Sequence, residues 1–271
     1  MNQRKSLKEL NLLDKFLFDE AMDDPENVKT MLDIILSQNT NLKHPPQTEK
    51  EQRTSTDNRQ IRLDVYAIDE DDVIYEVEAQ KENTHNLPKR SRLYQGIIDS
   101  KLLPPGVVDF NLLNEVLIVL IMPFDLFGYG LYRYTFQMKS EEVPELKLDD
   151  GATRIFLNTR GKHPELVSPE LIELLKYMEH STDEISEACE SKRIQEMHRR
   201  VCQIKASEKA EVKYMQTWEE KILIKQEGER IGLERINRLN QKLIEQGRFD
   251  DLTKAVSDSV SLKKLLKEFK I

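Results

Sequence analysis

Two matched alternating runs, Ile61 to Ile68 and Val73 to Gln80, constrain this chain most; the acidic stretch Asp69-Glu70-Asp71-Asp72 joins them. Side chains on a strand alternate between faces, so Ile61, Leu63, Val65 and Ala67 share a face with Val73, Tyr75, Val77 and Ala79. The pair reads as an antiparallel hairpin with a polar turn. Its other face carries Arg62, Asp64, Tyr66, Glu76, Glu78 and Gln80. Because even positions share that face, Asp64 must lie opposite Glu76 or Glu78. Either pairing sets carboxylates side by side, which destabilises a sheet and raises the proton affinity of one partner. A divalent cation such as Mg2+ would compensate, since it takes carboxylate and carbonyl oxygens while keeping several waters. The same alternation also fits the solvated side of a surface hairpin.

The remaining segments supply covering layers. Leu7, Leu10, Leu13, Phe16, Leu17 and Ala21 recur at helical spacing and predict a helix from about Leu7 to Glu20. Asp24-Pro25 is a cap followed by proline at the first helical position, opening a helix through Val28, Met31, Leu32 and Ile35. Residues 41–58 contain Pro45-Pro46 and no periodicity, and read as a loop that either closes over a substrate or is idle. A helix is expected over 83–101, with Leu87, Leu93, Ile97 and Ile98 inward. The apolar run 115–123, ended by Pro123, fits a strand buried on both faces; Leu131 to Met138 and Arg154 to Leu157 read as further strands. The turn-rich Phe127-Gly128-Tyr129-Gly130 between them is given no catalytic role.

From Ser168-Pro169 onward only helices are expected, with a capping box at Ser181-Thr182-Asp183-Glu184 and a charged region ended by Gly247. Trp218, Ile222, Leu233, Ile236, Leu239 and Leu243 form a seam interrupted by Lys225 and Glu229, which suits a coiled coil or one amphipathic helix. Residues 250–269 read as a short helix pair. The expected architecture is an α/β sandwich with a mixed sheet in residues 1–165, followed by a charged helical extension over 166–271.

Charge narrows the partners. Charged residues make up 33% of the 271 and the formal net charge is −8, so the molecule as a whole lacks the footprint of a nucleic-acid binder and would have to hold one locally. Lys89, Arg90, Arg92 and Lys101 give one such local patch, serving either as phosphate contacts or as a solvated basic helix. Tyr94 and Gln95 either reach a bound substrate or pack on the sheet. Two cysteines, Cys189 and Cys202, support neither a disulfide framework nor a zinc site, and the five histidines show no ligand spacing. No signal peptide and no apolar run of membrane length is visible, so a cytoplasmic protein is expected.

Asp64, thirteen residues, then Glu78-Ala79-Gln80 resembles the PD-(D/E)XK nuclease signature with Gln in place of Lys. Further segments carry the likeness: Leu12 to Phe18, Arg62 to Tyr66, Val77 to Lys81, Pro88 to Tyr94, Phe124 to Gly130, Tyr132 to Phe136 and Phe156 to Thr159. In this order they resemble the bacterial recombination-promoting nuclease (Rpn) family, also called PD-(D/E)XK family transposases. The resemblance implies a restriction-endonuclease-like fold and metal-dependent cleavage of DNA that promotes recombination or transposition. It implies Mg2+ or Mn2+ held by Asp64, Glu78 and the Ala79 carbonyl, with Gln80 at the usual lysine position and Lys81 or Lys89 available as a substitute cation. Lys89, Arg90, Arg92 and Tyr94 would contact phosphate, and Glu76 would back the metal or weakly hold a second one. Asp14 falls nearest the family's early acid, although Lys15 stands where relatives commonly carry Asp. The alternative is a degenerate nuclease fold acting as a nucleic-acid-associated scaffold, with a homo-oligomer formed through the C-terminal helices.

Overall fold

A computed structural model of the protein describes residues 4–52 and 61–271. Its centre is a six-stranded mixed sheet flanked by helices. Strands β1 (Gln47–Gln52), β2 (Ile61–Ile68) and β3 (Ile74–Ala79) form an antiparallel run; β4 (Val116–Met122) lies parallel to β3. Beyond β4, β5 (Arg133–Phe136) and β6 (Ala152–Asn158) complete the order β1-β2-β3-β4-β6-β5, with β6 parallel to β4 and β5 antiparallel at the edge. Val65 pairs with Val77 and Tyr66 with Glu76. Continuing that register by one residue sets Asp64 opposite Glu78, one of the two arrangements the alternation allows. Val73 falls in the turn rather than in β3.

The hairpin is not a surface feature. All six residues of β3 are buried, because β4 covers its edge and helix α3 (Leu87–Asp99) its face. Leu87, Tyr94, Ile97 and Ile98 of α3 share one apolar cluster with Ile74, Ile118, Leu120, Met122 and Phe156. At the other end of the sheet α1 (Lys15–Met22) packs on β1 and β2, and α2 (Pro25–Leu36) follows, with the Asp24 carboxylate accepting from the Glu26 amide at its start.

Two segments differ from the sequence expectation. The first helix does not run from Leu7 to Glu20: a single 3-10 turn, Leu7–Glu9, precedes α1. Asn11 and Asp14 break the helix between them, since the Asn11 side-chain Oδ1 accepts from the Leu13 amide and the Asp14 carboxylate from the Asn11 amide. Residues 41–58, expected as a loop, contain β1; positions 53–58 of that loop lie outside the described residues. β1 reads Gln-Thr-Glu-Lys-Glu-Gln and shows no apolar alternation because it is an edge strand, where charged side chains discourage pairing with a second chain. Glu49, within it, adopts a left-handed φ of 49°.

Helices α4 (Pro169–Glu179), α5 (Asp183–Ala188) and α6 (Lys192–Lys205) follow the sheet, with Ser168 and Thr182 capping the first two through the Leu171 and Ile185 amides. They pack against α1 and α2, so the first compact unit runs to Glu211, well past the boundary expected at residue 165. Helix α7 (Glu208–Glu245) leads into the second unit, Val212–Ile271, and ends before Gly247 as expected. In that unit α8 (Phe249–Ser257) and α9 (Ser259–Glu268) form the anticipated short pair. Leu239 and Leu243 of the seam pack there with Ala255 and Leu265, whereas Leu233 and Ile236 are exposed.

The loop before β5 is built on one carboxylate. Asp125 accepts from the Phe127, Gly128 and Gly130 amides at 3.1, 3.0 and 2.6 Å and from the Tyr134 hydroxyl at 2.7 Å. Gly128 and Gly130 take left-handed φ values of 83° and 70°, which the tight turn around that carboxylate requires. Burial alone would push Asp125 up, but the Tyr134 and amide donors hold it below the usual carboxylate range. Its stabilising contribution is therefore present above that range and lost as pH falls through it. Asp125→Ala should destabilise the protein by on the order of 2 kcal/mol in urea unfolding at pH 7.

Candidate active site

The acid-bearing face of the hairpin converges with the start of α1 and the start of α3. Asp64, Glu76 and Glu78 are 6, 0 and 8% exposed, so the solvated-face alternative does not describe them. Asp64 and Glu78 lie on the same side of the sheet by register, and Glu76 is one strand pleat further along β3. Burial is the first cause that raises all three carboxyls. Glu78 reaches about 7 although Arg90 pulls it down; Glu76 is driven well up by burial and then by the charges of Glu78 and Asp64.

Each of the two outer acids has acquired a cation. The Lys15 ammonium, on the first turn of α1, contacts the Asp64 carboxylate, Asp19 at 3.1 Å and Glu49 at 3.9 Å. Asp19 lies one helical turn beyond Lys15 and is itself pushed up to about 7 by burial, against the pull of Lys15. Arg90 donates from Nη2 to the Glu78 Oε1 at 2.6 Å and to the Gln80 Oε1 at 2.5 Å. Gln80 donates in turn to the Glu82 carbonyl. Asp14 pairs with Lys81.

Thus the structure brings Asp64, Glu76 and Glu78 together, with Gln80 linked to Glu78 through Arg90. Of the expected phosphate contacts, Arg90 is committed to Glu78 and Gln80, Tyr94 is buried with its ring 5.9 Å from Arg90, and Lys89 and Arg92 are exposed. Lys89, Arg90 and Tyr94 line an open groove of about 410 Å3 with Ile61, Arg62, Asn86 and Leu93; Arg92 is not part of it. Leu93 faces this groove rather than the core, at 42% exposure. Sequence reasoning missed Lys15, Asp19 and Glu49. The i, i+4 spacing of Lys15 and Asp19 was the available signal, but nothing in the sequence aims that pair at Asp64.

The donor set suits a hard divalent cation. Both oxygens of Glu76 and Oε2 of Glu78 are buried without a hydrogen-bond partner, among the described residues, and such orphaned acceptors are costly unless something supplies positive charge. No third acid comes close enough to Asp64 and Glu78 for all three ligand atoms to lie within 4.8 Å, among the described residues. The chain matches no family model, no curated protein and no solved structure.

A raised carboxyl is favourable to the fold only while it keeps its proton. Between the unfolded value near 4.5 and the folded value of about 7 for Glu78, the native state holds more protons than the unfolded chain, so stability falls as pH rises through that window. Glu76→Gln removes the most deeply buried of these charges, and should raise stability at pH 8 by about 1 kcal/mol or more relative to wild type. The difference should shrink at pH 5, which paired urea titrations at the two pH values would measure.

Proposed function

We propose that this protein is a metal-dependent DNA endonuclease with a restriction-endonuclease-like core. The observation that carries the reading is the burial of Asp64, Glu76 and Glu78 on one face of the hairpin, with oxygens of Glu76 and Glu78 left unpartnered. Asp64 and Glu78, with the Ala79 carbonyl, would hold Mg2+ or Mn2+, which supplies polarisation of the scissile phosphate and stabilises its developing negative charge. Lys15 contributes the positive charge beside Asp64 that Gln80, a neutral amide, does not. Arg90 fixes the orientation of Glu78 and Gln80 from the groove side, and Lys89 and Arg62 provide charge along the groove for phosphate oxygens. Glu76 lies on the same face of β3 as Glu78, and its carboxyl is raised by burial and then by the charges of Glu78 and Asp64.

One observation favours a second reading, a degenerate nuclease fold acting as a nucleic-acid-associated scaffold. Lys15 and Arg90 pair with Asp64 and Glu78, so the chain itself supplies counter-charges to both acids. In that reading the exposed Leu223, Ile224 and Leu233 of α7 support self-association through the C-terminal helices.

The two are separated by incubating supercoiled plasmid with the protein and Mg2+ or Mn2+. Nicking by wild type should fall about 10²-fold or more in Asp64→Ala and Glu78→Ala; equal nicking by all three removes the nuclease reading. Because Glu78 must shed its proton to ligate a metal, the rate should climb as pH passes about 7, and Lys15→Ala should lose activity across the whole range. Calorimetric titration with Mg2+ gives the complementary result: heat that Asp64→Ala abolishes supports the enzyme, and none from wild type supports the scaffold.

A further inference from the structure

Away from the hairpin, α5 and α6 bring three different ligand atoms to one point. His198 and Cys202, four residues apart, share a face of α6, and Asp183 opens α5 opposite them. His198 Nε2 lies 2.8 Å from Asp183 Oδ1 and 3.3 Å from Cys202 Sγ, and that sulfur is 3.8 Å from the same Asp183 oxygen. Among the described residues, theirs are the His, Cys, Asp or Glu ligand atoms that meet in a group of three within 4.8 Å. A tetrahedral zinc ion with bonds of about 2.0–2.1 Å to N and O and about 2.3 Å to S needs ligand atoms roughly 3.3–3.6 Å apart. The three separations straddle that range: the His198–Asp183 pair would open by about half an ångström and the two sulfur distances would shift by about 0.2–0.3 Å.

The surroundings are those of a ligand rather than of a packed histidine. His198 is 8% exposed, and its far nitrogen, Nδ1, is 3.0 Å from the Tyr177 hydroxyl, which fixes the ring with Nε2 on the Asp183 side. Tyr177 is itself fully buried, and its hydroxyl oxygen can accept a hydrogen bond from Nδ1–H when Nε2 binds a metal. The cluster opens into a cavity of about 360 Å3 whose rim includes Lys8 and Lys205. Lys205 is tied to the Ser181 carbonyl at 2.8 Å. That leaves room for a fourth ligand, and the two lysines favour an anionic one.

A cysteine nucleophile would need a different layout. In a nucleophile–base–carboxylate relay the base meets the nucleophile through one ring nitrogen and the orienting carboxylate through the other. Here Asp183 meets Nε2, the Cys202 sulfur lies beside the ring at 3.3 Å from Nε2 and 3.9 Å from Nδ1, and Tyr177 occupies Nδ1. Three ligand atoms of different kinds within 4.8 Å of one another suit a shared ion better than a relay.

We propose that Asp183, His198 and Cys202 form a transition-metal site, suited to Zn2+, with an open fourth position for water or an anion. On binding, Zn–N, Zn–O and Zn–S bonds form, the Cys202 thiol proton leaves to solvent, and the remaining imidazole proton resides on Nδ1. The site is independent of the hairpin acids. Its test uses the full chain with Co2+ as a spectroscopic probe. One equivalent should give tetrahedral d–d bands together with a thiolate-to-cobalt charge-transfer band, both removed by added Zn2+. Cys202→Ser should lose the charge-transfer band and Asp183→Asn should weaken binding at least tenfold. Both positions reach solvent, so neither substitution threatens the fold as His198→Ala would. Cys189→Ser and the double variant Asp64→Asn/Glu78→Gln should keep the full spectrum. Persistence of the charge-transfer band in Cys202→Ser, its loss in Cys189→Ser or in the hairpin double variant, or no bound equivalent in wild type would each overturn the assignment.

Discussion

The candidate active site exists because Lys15 and Arg90 bring positive charge to carboxylates that the sheet has taken out of water. Asp64 and Glu78 face one another across β2 and β3, and neither could stay ionised at that depth beside the other without help. Lys15 enters from α1 and Arg90 from α3, so two helices that are far apart in the sequence are bound to the same pair of strands by charge as well as by packing. Glu76, deeper still, has no such partner among the described residues, and burial drives its carboxyl well above the usual carboxylate range.

That arrangement depends on the sheet order. Placing β4 beside β3 buries the whole of β3, and its apolar residues Ile118 and Leu120 stand next to Glu76 and Glu78 in register. A hairpin at the edge would have left the acids hydrated and unperturbed. The edge is occupied by β1, whose Glu49 lies where the β1–β2 register would meet Asp64 and departs into the left-handed region there. A non-glycine residue with that backbone costs about 1 kcal/mol or more, and such strain gathers around functional sites.

Much of this fold was legible in the sequence where a physical signal was local. The alternation at 61–80 set the hairpin and its two permitted registers, Asp24-Pro25 and Ser168-Pro169 marked helix starts, and the apolar run at 116–122 marked the central strand. Asn11 and Asp14 defeated the helical spacing from Leu7, because short polar side chains competed for the backbone amides. β1 was illegible for a different reason: an edge strand owes its pairing to its neighbour and not to its own pattern. The candidate site was legible as far as Asp64, Glu78 and Gln80, while the cations that reach them arrive through tertiary packing. His198, Cys202 and Asp183 show the same limit, since a spacing of four becomes a cluster only when α5 is laid against α6.

The Gln80 amide shares the Arg90 guanidinium with Glu78. A lysine at that position would confront Arg90 with a second cation a few ångströms away and would compete for the same carboxylate. Gln80 and Arg90 therefore fit one another: a neutral amide on the strand adds a second acceptor for the guanidinium, so that one helix cation pins two neighbouring strand side chains from the groove side.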